Sequence, residues 1–272
     1  MANPSTSSSL PSALLLDAVG FGISATVAGV DADLFVGTLK PWARRPDALS
    51  DQAFGDGLAL TLDVETEGGQ TVPVELRLHL AGFDGGVRIT ARSGLRLNPM
   101  RALAADLGGV ETLDGRRNAI GPHPDVSGAL LARQIRWVEH GVEAAVALLR
   151  HAAEGGAGPD GPIVLDEALW LRSAEACRDR HVGDAAGAVR RLRSAVLEGA
   201  VAVAEDLYRL SAGRQRGALT VRWWRTRTGP VVKAYAKATD LLRVELAARD
   251  REAIAALLPG AGSGDVEGAV AA

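Results

Sequence analysis

The sequence predicts an α+β fold: antiparallel sheets from two strand-rich halves, packed with two long helices. Three observations predict it. Leu58–Leu80 alternates apolar and polar residues about a Glu67-Gly68-Gly69-Gln70 turn, the pattern of a β-hairpin. Ser127–Ala153 and Ala185–Leu210 instead repeat apolar residues at helical spacing. After the second of these, Leu219–Arg225, Val231–Lys237 and Leu241–Ala247 read as three short extended segments.

Taken in order, residues 1–12 are rich in Ser and Pro and read as a disordered tail. Leu14–Val30 is rich in Val, Ile, Leu, Phe and Gly without helical periodicity, so it reads as a strand pair, and Leu34–Leu39 as a further short strand. Asp84-Gly85-Gly86 turns the chain out of the hairpin into a strand over Val87–Ala91. Asn98 as N-cap and Pro99 at the first helical position start a helix, and Asp114–Pro124 is loop. Leu130, Leu131, Ile135, Val138, Val142, Val146 and Leu149 mark the apolar stripe of the first long helix, which Gly155-Gly156-Ala157-Gly158-Pro159 ends. That glycine-rich run is the boundary between a half over residues 13–158 and one over 159–258. The second half opens with strand material in Ile163–Val182, and Gly183-Asp184 caps the second long helix. A closing helix over Asp250–Leu258 precedes a second disordered tail, residues 259–272. The order of elements points to two related halves, although the residues themselves show no repeat.

Composition narrows the function classes. Of the 272 residues 47% are apolar and 23% charged, an ordinary globular balance. The single Cys177 excludes an internal disulfide framework and a cysteine-based metal site, and fits a reducing compartment. No apolar run is long enough to span a bilayer, and the first residues lack a basic region ahead of an apolar one, so the expectation is a cytoplasmic protein without a secretory signal. The net charge is −3, but Arg209–Arg251 holds nine Arg and two Lys against Asp240, Glu245 and Asp250, giving +8 and leaving about −11 for the rest. Gly-rich phosphate loops, Gly-x-Ser-x-Gly elbows and His-Glu-x-x-His motifs are missing from the sequence, which removes support for the hydrolases built on them.

The chemistry gathers between Leu169 and Leu246. Along an extended Leu169–Val182, Glu175, Cys177, Asp179 and His181 share a face, a row able to ligate a hard divalent cation or to hold an acid–base pair. The same row equally serves as a solvated face balancing Arg172, Arg178 and Arg180. Tyr235 lies between Lys233 and Lys237 on one face of its strand, where two ammonium groups would lower the cost of a phenolate and hold a phosphate. A half-exposed strand tyrosine with solvating lysines has the same pattern. In Leu241–Leu246 the alternation puts Leu242, Val244 and Leu246 toward the core, with Arg243 and Glu245 on the opposite side. There Glu245 approaches Tyr235 or the Glu175/Asp179 row and Arg243 clamps a phosphate; the plainer outcome is a cross-strand ion pair between Glu245 and a lysine. Arg222, Trp223, Trp224, Arg225 and Arg227 interleave aromatic and cationic groups, suited to stacking bases and neutralising phosphates, with Trp223 equally suited to a core position.

Lys233-Ala234-Tyr235-Ala236-Lys237, followed by Leu241-Leu242-Arg243-Val244-Glu245-Leu246, resembles the C-terminal signature of rolling-circle replication initiation proteins of plasmids and filamentous phages. In that family a basic residue, Tyr and Lys on one strand precede an Arg-hydrophobe-Glu strand. Leu171–Asp179 looks like the family's upstream acidic strand, and Ser93–Pro99 and Asp114–Asn118 are similar to N-terminal stretches of the phage branch. The resemblance covers Leu171–Arg251, with fragments before it. It implies a tyrosine-dependent nick of one DNA strand, at an origin in single-stranded or supercoiled DNA, leaving a 5′-phosphotyrosyl link and a free 3′-hydroxyl. Carried over, Tyr235 is the nucleophile, Glu175, Asp179 and Glu245 are ligands for Mg²⁺ or Mn²⁺, and Lys233, Lys237 and Arg243 bind phosphate. Ala236 stands where the family often has Asp or Asn, and the second tyrosine of some phage members has no counterpart, since Tyr208 falls in a predicted helix. Two other readings of the same residues are a DNA-binding regulator without cleavage and a protein with no DNA role, the latter favoured by the overall acidity.

Overall fold

The first strand, β1, runs unbroken from Leu15 to Ala28 rather than as the expected pair. Gly20 and Gly22 resemble turn residues in the sequence, yet both lie inside the sheet, where a Cβ would run into Ser173 and Trp170 of the neighbouring strand. In the computed structural model, residues 14–123, 128–198, 209–215, 218–224 and 231–249 are described.

Leu34–Leu39, expected as a strand, is instead most of α1, Ala32–Thr38. Asp31 decides this: its carboxylate accepts from the backbone N–H groups of Asp33 and Leu34, both at 2.9 Å, which caps the helix and lets Phe35 and Val36 be buried together. Short helical turns follow between Lys40 and Asp56. The expected hairpin is present as β2 (Leu58–Glu65) and β3 (Thr71–Leu78), in register from Leu58 opposite Leu78 to Glu65 opposite Thr71. Gly69 supplies the positive φ, 74°, at their turn. Three four-residue strands come next: β4 (Leu80–Phe83), β5 (Gly86–Ile89) and β6 (Gly94–Leu97).

Asn98 caps α2 (Pro99–Leu107) as expected, accepting from the Arg101 N–H at 2.9 Å. The long helix α3 spans Ala129–Gly155, 27 residues. The second half begins with the 19-residue strand β7, Ile163–His181. Asp184 then caps α4 (Ala185–Leu197), taking the Gly187 N–H at 2.8 Å. Arg209 and Leu210, expected at the end of this helix, belong to strand β8 (Arg209–Gln215), and β9 (Ala218–Trp224), β10 (Val231–Ala236) and β11 (Leu241–Ala248) complete the set. The expected closing helix and both tails lie outside the described residues.

The two halves share a single antiparallel sheet, in the order β2-β3-β6-β1-β7-β11-β10-β9-β8, with β5 beside the far end of β1 and β4 beside β5. This replaces the separate sheets expected; among the described residues α3 is one long helix as expected, while residues 199–208 of the second expected long helix lie outside them. Each half follows one plan: a long first strand, a helix, then a meander whose last strand returns beside the first. β6 returns to β1, β11 returns to β7, and β1 and β7 join the halves. Trp137, Val138, Ala145 and Leu148 of α3 share a core with Phe21, Leu60, Leu76 and Leu95 on one face of the sheet. α4 packs over β9, β10 and β11, where Val221 and Ala234 are fully buried. No helix among the described residues is long and apolar enough to cross a membrane.

Candidate functional site

Register builds the site. Cross-strand pairing of β7, β11, β10 and β9 places Cys177, Glu245, Lys233 and Arg222 in one row, and Asp179, Arg243, Tyr235 and Thr220 in the next. Residues directly opposite one another point to the same side of a sheet, so all eight face away from the buried Ala234 and Val221. Glu175 stands one alternation earlier on the same side of β7. The structure thus puts Tyr235, Lys233, Glu175, Asp179 and Glu245 on one side of the sheet, the side their alternation gives them.

The side of β11 that carries Arg243 and Glu245, expected to lie opposite the core, is the more deeply buried one. Arg243 is 0% and Glu245 3% exposed, whereas Val244 is 37% exposed. The covering segment, residues 109–120, comes from the first half. Leu113 donates its N–H to the Lys237 carbonyl at 2.8 Å, and the Asn118 carbonyl accepts from Arg243 Nη2 at 3.1 Å. Between this segment and the sheet lies a polar cleft of about 320 Å³.

Arg243 does not reach out toward a phosphate. Its Nε and Nη2 donate to the two oxygens of Asp179, both at 2.6 Å, and its Nη1 donates to Asp17 at 2.6 Å. Burial works against its charge, but these carboxylates outweigh burial and hold it protonated. Asp179 is correspondingly committed to Arg243 rather than grouped with Glu175 and Glu245. The third member of that group is Asp17, which sequence reasoning missed. Asp17 is the extra residue of a β-bulge in β1, opposite Ala176 and Glu175 of β7. Gln134 of α3 holds the bulge, accepting from the Leu16 N–H and donating to the Leu16 carbonyl, each at 2.8 Å. A lone aspartate in an apolar strand is the one signal that pointed to it.

Asp17, Glu175 and Glu245 each offer an oxygen within 4.8 Å of the others. Lys233 Nζ lies among them, 3.0 Å from Glu245 and 3.3 Å from Glu175, so the plainer sequence expectation of a Glu245–lysine pair is also met. The Tyr235 hydroxyl donates to the other Glu245 oxygen. Burial pushes the Asp17 carboxyl up to about 6, against the pull of Arg243. Burial also acts to raise Glu245, but the Lys233 charge and the Tyr235 and Lys233 hydrogen bonds hold it below the usual carboxylate range. The Tyr235 phenol is raised well above its ordinary value, first by burial and then by the Glu245 charge. Lys237 lies over the Tyr235 ring, 5.7 Å from its centre, and has no ion-pair partner among the described residues. Burial, then Arg243, lowers its ammonium pKa. Asn118 also lines the cleft, and its buried Oδ1 has no hydrogen-bond partner among the described residues.

Of the residues expected to bind DNA, Arg222 is half-buried on the cleft side of β9, and Arg243 is internal. Trp223 and Trp224 are in β9 by backbone only, and Arg225 and Arg227 lie outside the described residues.

No protein-family model and no curated protein matches the chain. Among solved structures it is similar to TBP of Methanococcus jannaschii, at 10% identity and a TM-score of 0.31 over 93% of this chain and 97% of that one. It is also similar to two di-domain ARO/CYC proteins. BexL, from the BE-7585A biosynthetic pathway, is 12% identical with a TM-score of 0.19 over 90% of both chains. StfQ, from the steffimycin pathway, is 11% identical with a TM-score of 0.19 over 91% of this chain and 90% of that one. Scores this low carry no functional argument.

Proposed function

We propose that the cleft nicks and rejoins a DNA strand, with Tyr235 as nucleophile and a divalent cation at Asp17, Glu175 and Glu245. The observation that carries this reading is the hydrogen bond from the Tyr235 hydroxyl to Glu245 within a group of three carboxylates. The donor set fits Mg²⁺ or Mn²⁺, because clustered carboxylate oxygens are the ligands hard cations take, and the unpartnered Asn118 oxygen adds a neutral donor to the same cleft. A bound cation would polarise the phosphate and supply the positive charge that stabilises a phenolate.

The chain's own groups have defined tasks. Tyr235 Oη attacks phosphorus, passing its proton to Glu245, the base already in contact with it. The new O–P bond replaces the bond from phosphorus to the 3′ oxygen, which leaves as a hydroxyl after taking a proton, and the reverse attack rejoins the strand. In the resting cleft the proton stays on the phenol, since burial raises Tyr235 while Lys233 holds Glu245 low. Lys237, uncommitted and beside the phenol ring, replaces Arg243 as the cation facing the phosphate. Arg243 instead braces β7, β11 and the bulge of β1 around the nucleophile.

The test is conversion of a supercoiled plasmid to its open circle, together with a covalent adduct on a single-stranded oligonucleotide. Activity is expected with Mn²⁺, not with chelator, and is expected to fall at least 100-fold in Tyr235→Phe. Nicking that persists in Tyr235→Phe would remove the phenol from the mechanism. Salt-sensitive binding with no nicking under any divalent cation would favour the regulator.

A further inference from the structure

We infer that the sheet face of the first half, on the side away from α3, is a platform for single-stranded DNA on which Trp170 stacks a base and Arg77, Arg96 and Arg172 hold phosphates. This rests on the nicking reading and deepens it by stating where the strand lies outside the cleft.

Three glycines clear the centre of that face. Gly22 of β1 is paired with Trp170 of β7 and Gly94 of β6, and Gly20 with Ser173 and Arg96. A Cβ on Gly22 would run into the Trp170 indole, so the ring lies across that position; a Cβ on Gly94 would stand 3.7 Å from Arg172 Nη1. Indole and guanidinium therefore sit side by side on a floor of bare backbone. Arg77 is paired with Gly94, and Arg96 stands between Gly20 and Glu75. Trp170 is half-buried, and Arg77, Arg96 and Arg172 are exposed.

None of these three arginines has an ion-pair partner among the described residues, unlike Arg44, which is 3.2 Å from Glu75 on the same face. Among the described side chains, the acidic ones without such a partner on this face, Asp63 and Glu65, are on the edge strand β2, while Asp166 is paired with Thr26 toward the far end of β7. A partly exposed indole beside uncommitted guanidinium groups supplies both terms of single-strand recognition, ring stacking and phosphate neutralisation. Unpaired bases expose the ring faces that an indole stacks on, whereas an acidic peptide offers none. The platform also leads to the cleft. Trp170, Ser173 and Glu175 are paired in turn with Gly22, Gly20 and Ala18 on the same side of β1. Trp170 and Glu175 are five residues apart on β7, roughly 17 Å at the rise of an extended strand.

The test uses the full chain carrying Tyr235→Phe, so that binding is read without cleavage, and a labelled oligothymidine followed by fluorescence anisotropy across a salt series. Trp170→Ala is expected to weaken binding at least tenfold and Trp170→Phe to retain most of it. The triple change Arg77→Gln, Arg96→Gln, Arg172→Gln is expected to lower the slope of log affinity against log salt by about 2, because each single-strand phosphate left without its guanidinium reduces the slope by about 0.7. Affinity within twofold of the parent in both the folded Trp170→Ala protein and the triple variant would overturn the inference. If Trp170→Ala does not fold, an unchanged salt slope in the triple variant alone overturns it. So does polyglutamate competing as well as oligothymidine, which would point to an acidic protein partner. Platform-dependent binding by a protein whose unmutated form never nicks would sink the nicking reading and leave this one standing.

Discussion

Arg243 is the residue on which the cleft is assembled: fully buried, it joins Asp179 of β7, Asp17 of β1 and the carbonyl of Asn118. Removing it leaves two carboxylates without their cation, and breaking a buried pair of this kind costs about 3–5 kcal/mol. Arg243→Met is therefore expected to lose stability on that order in urea unfolding, and Arg243→Lys part of it, since an ammonium cannot donate in a fork. A loss below about 1 kcal/mol in Arg243→Met would mean that the buried pairs do not form. Asp17 gives a pH prediction. Its folded pKa of about 6 lies above its ordinary 3.8, so its contribution to stability is present at low pH and is lost as pH rises from about 4 to 6. A divalent cation at the site competes with that proton. Mn²⁺ is thus expected to raise Tm at pH 7.5 and to lose most of this effect below pH 6; an effect independent of pH, or unchanged in Asp17→Asn, removes Asp17 from the cation site. Tyr235, Lys233, Glu175 and Glu245 were legible in the sequence because strand alternation alone selects which residues share a face. Asp17 was not, since it stands more than 150 positions before Glu175 in the chain and depends on a bulge.

At the scale of elements, legibility followed how local the determining interactions are. Asn98 with Pro99 and Gly183-Asp184 mark helix starts through bonds made within one turn, and both appear where expected. The β2–β3 hairpin is equally local, with its turn and alternation in a single stretch. α1 escapes sequence reading because Leu34–Leu39 is too short and, apart from Gly37 and Thr38, too uniformly apolar to show a period, and the Asp31 cap that favours the helix lies just outside that run. β1 escapes it because Gly20 and Gly22 are turn residues in most settings, while here their missing side chains make room for Ser173 and Trp170. The alternation of β11 was legible, but not which of its faces is buried more deeply. Residues 109–120 arrive from the other half to bury Arg243 and Glu245, and Val244 is left partly exposed.

At the scale of the whole molecule, the β1–β7 ladder joins the halves along most of the length of both strands, from Leu15 opposite Cys177 to Ala28 opposite Ile163. Residues 109–120 add a second tie. With a sheet continuous across the boundary, unfolding in urea is expected to be one transition, coincident by circular dichroism and tryptophan fluorescence. Two separated transitions would show that the halves fold independently. The sequence by itself determined the mixed helix and strand character, the two-part order of elements and a tyrosine surrounded by acids and lysines. Each of these follows from periodicity, capping or alternation over a few residues. Only the tertiary structure decided that one sheet serves both halves, that Asp17 replaces Asp179 among the clustered carboxylates, and that Arg243 turns inward. Those outcomes depend on contacts between residues far apart in the chain, which local pattern does not encode.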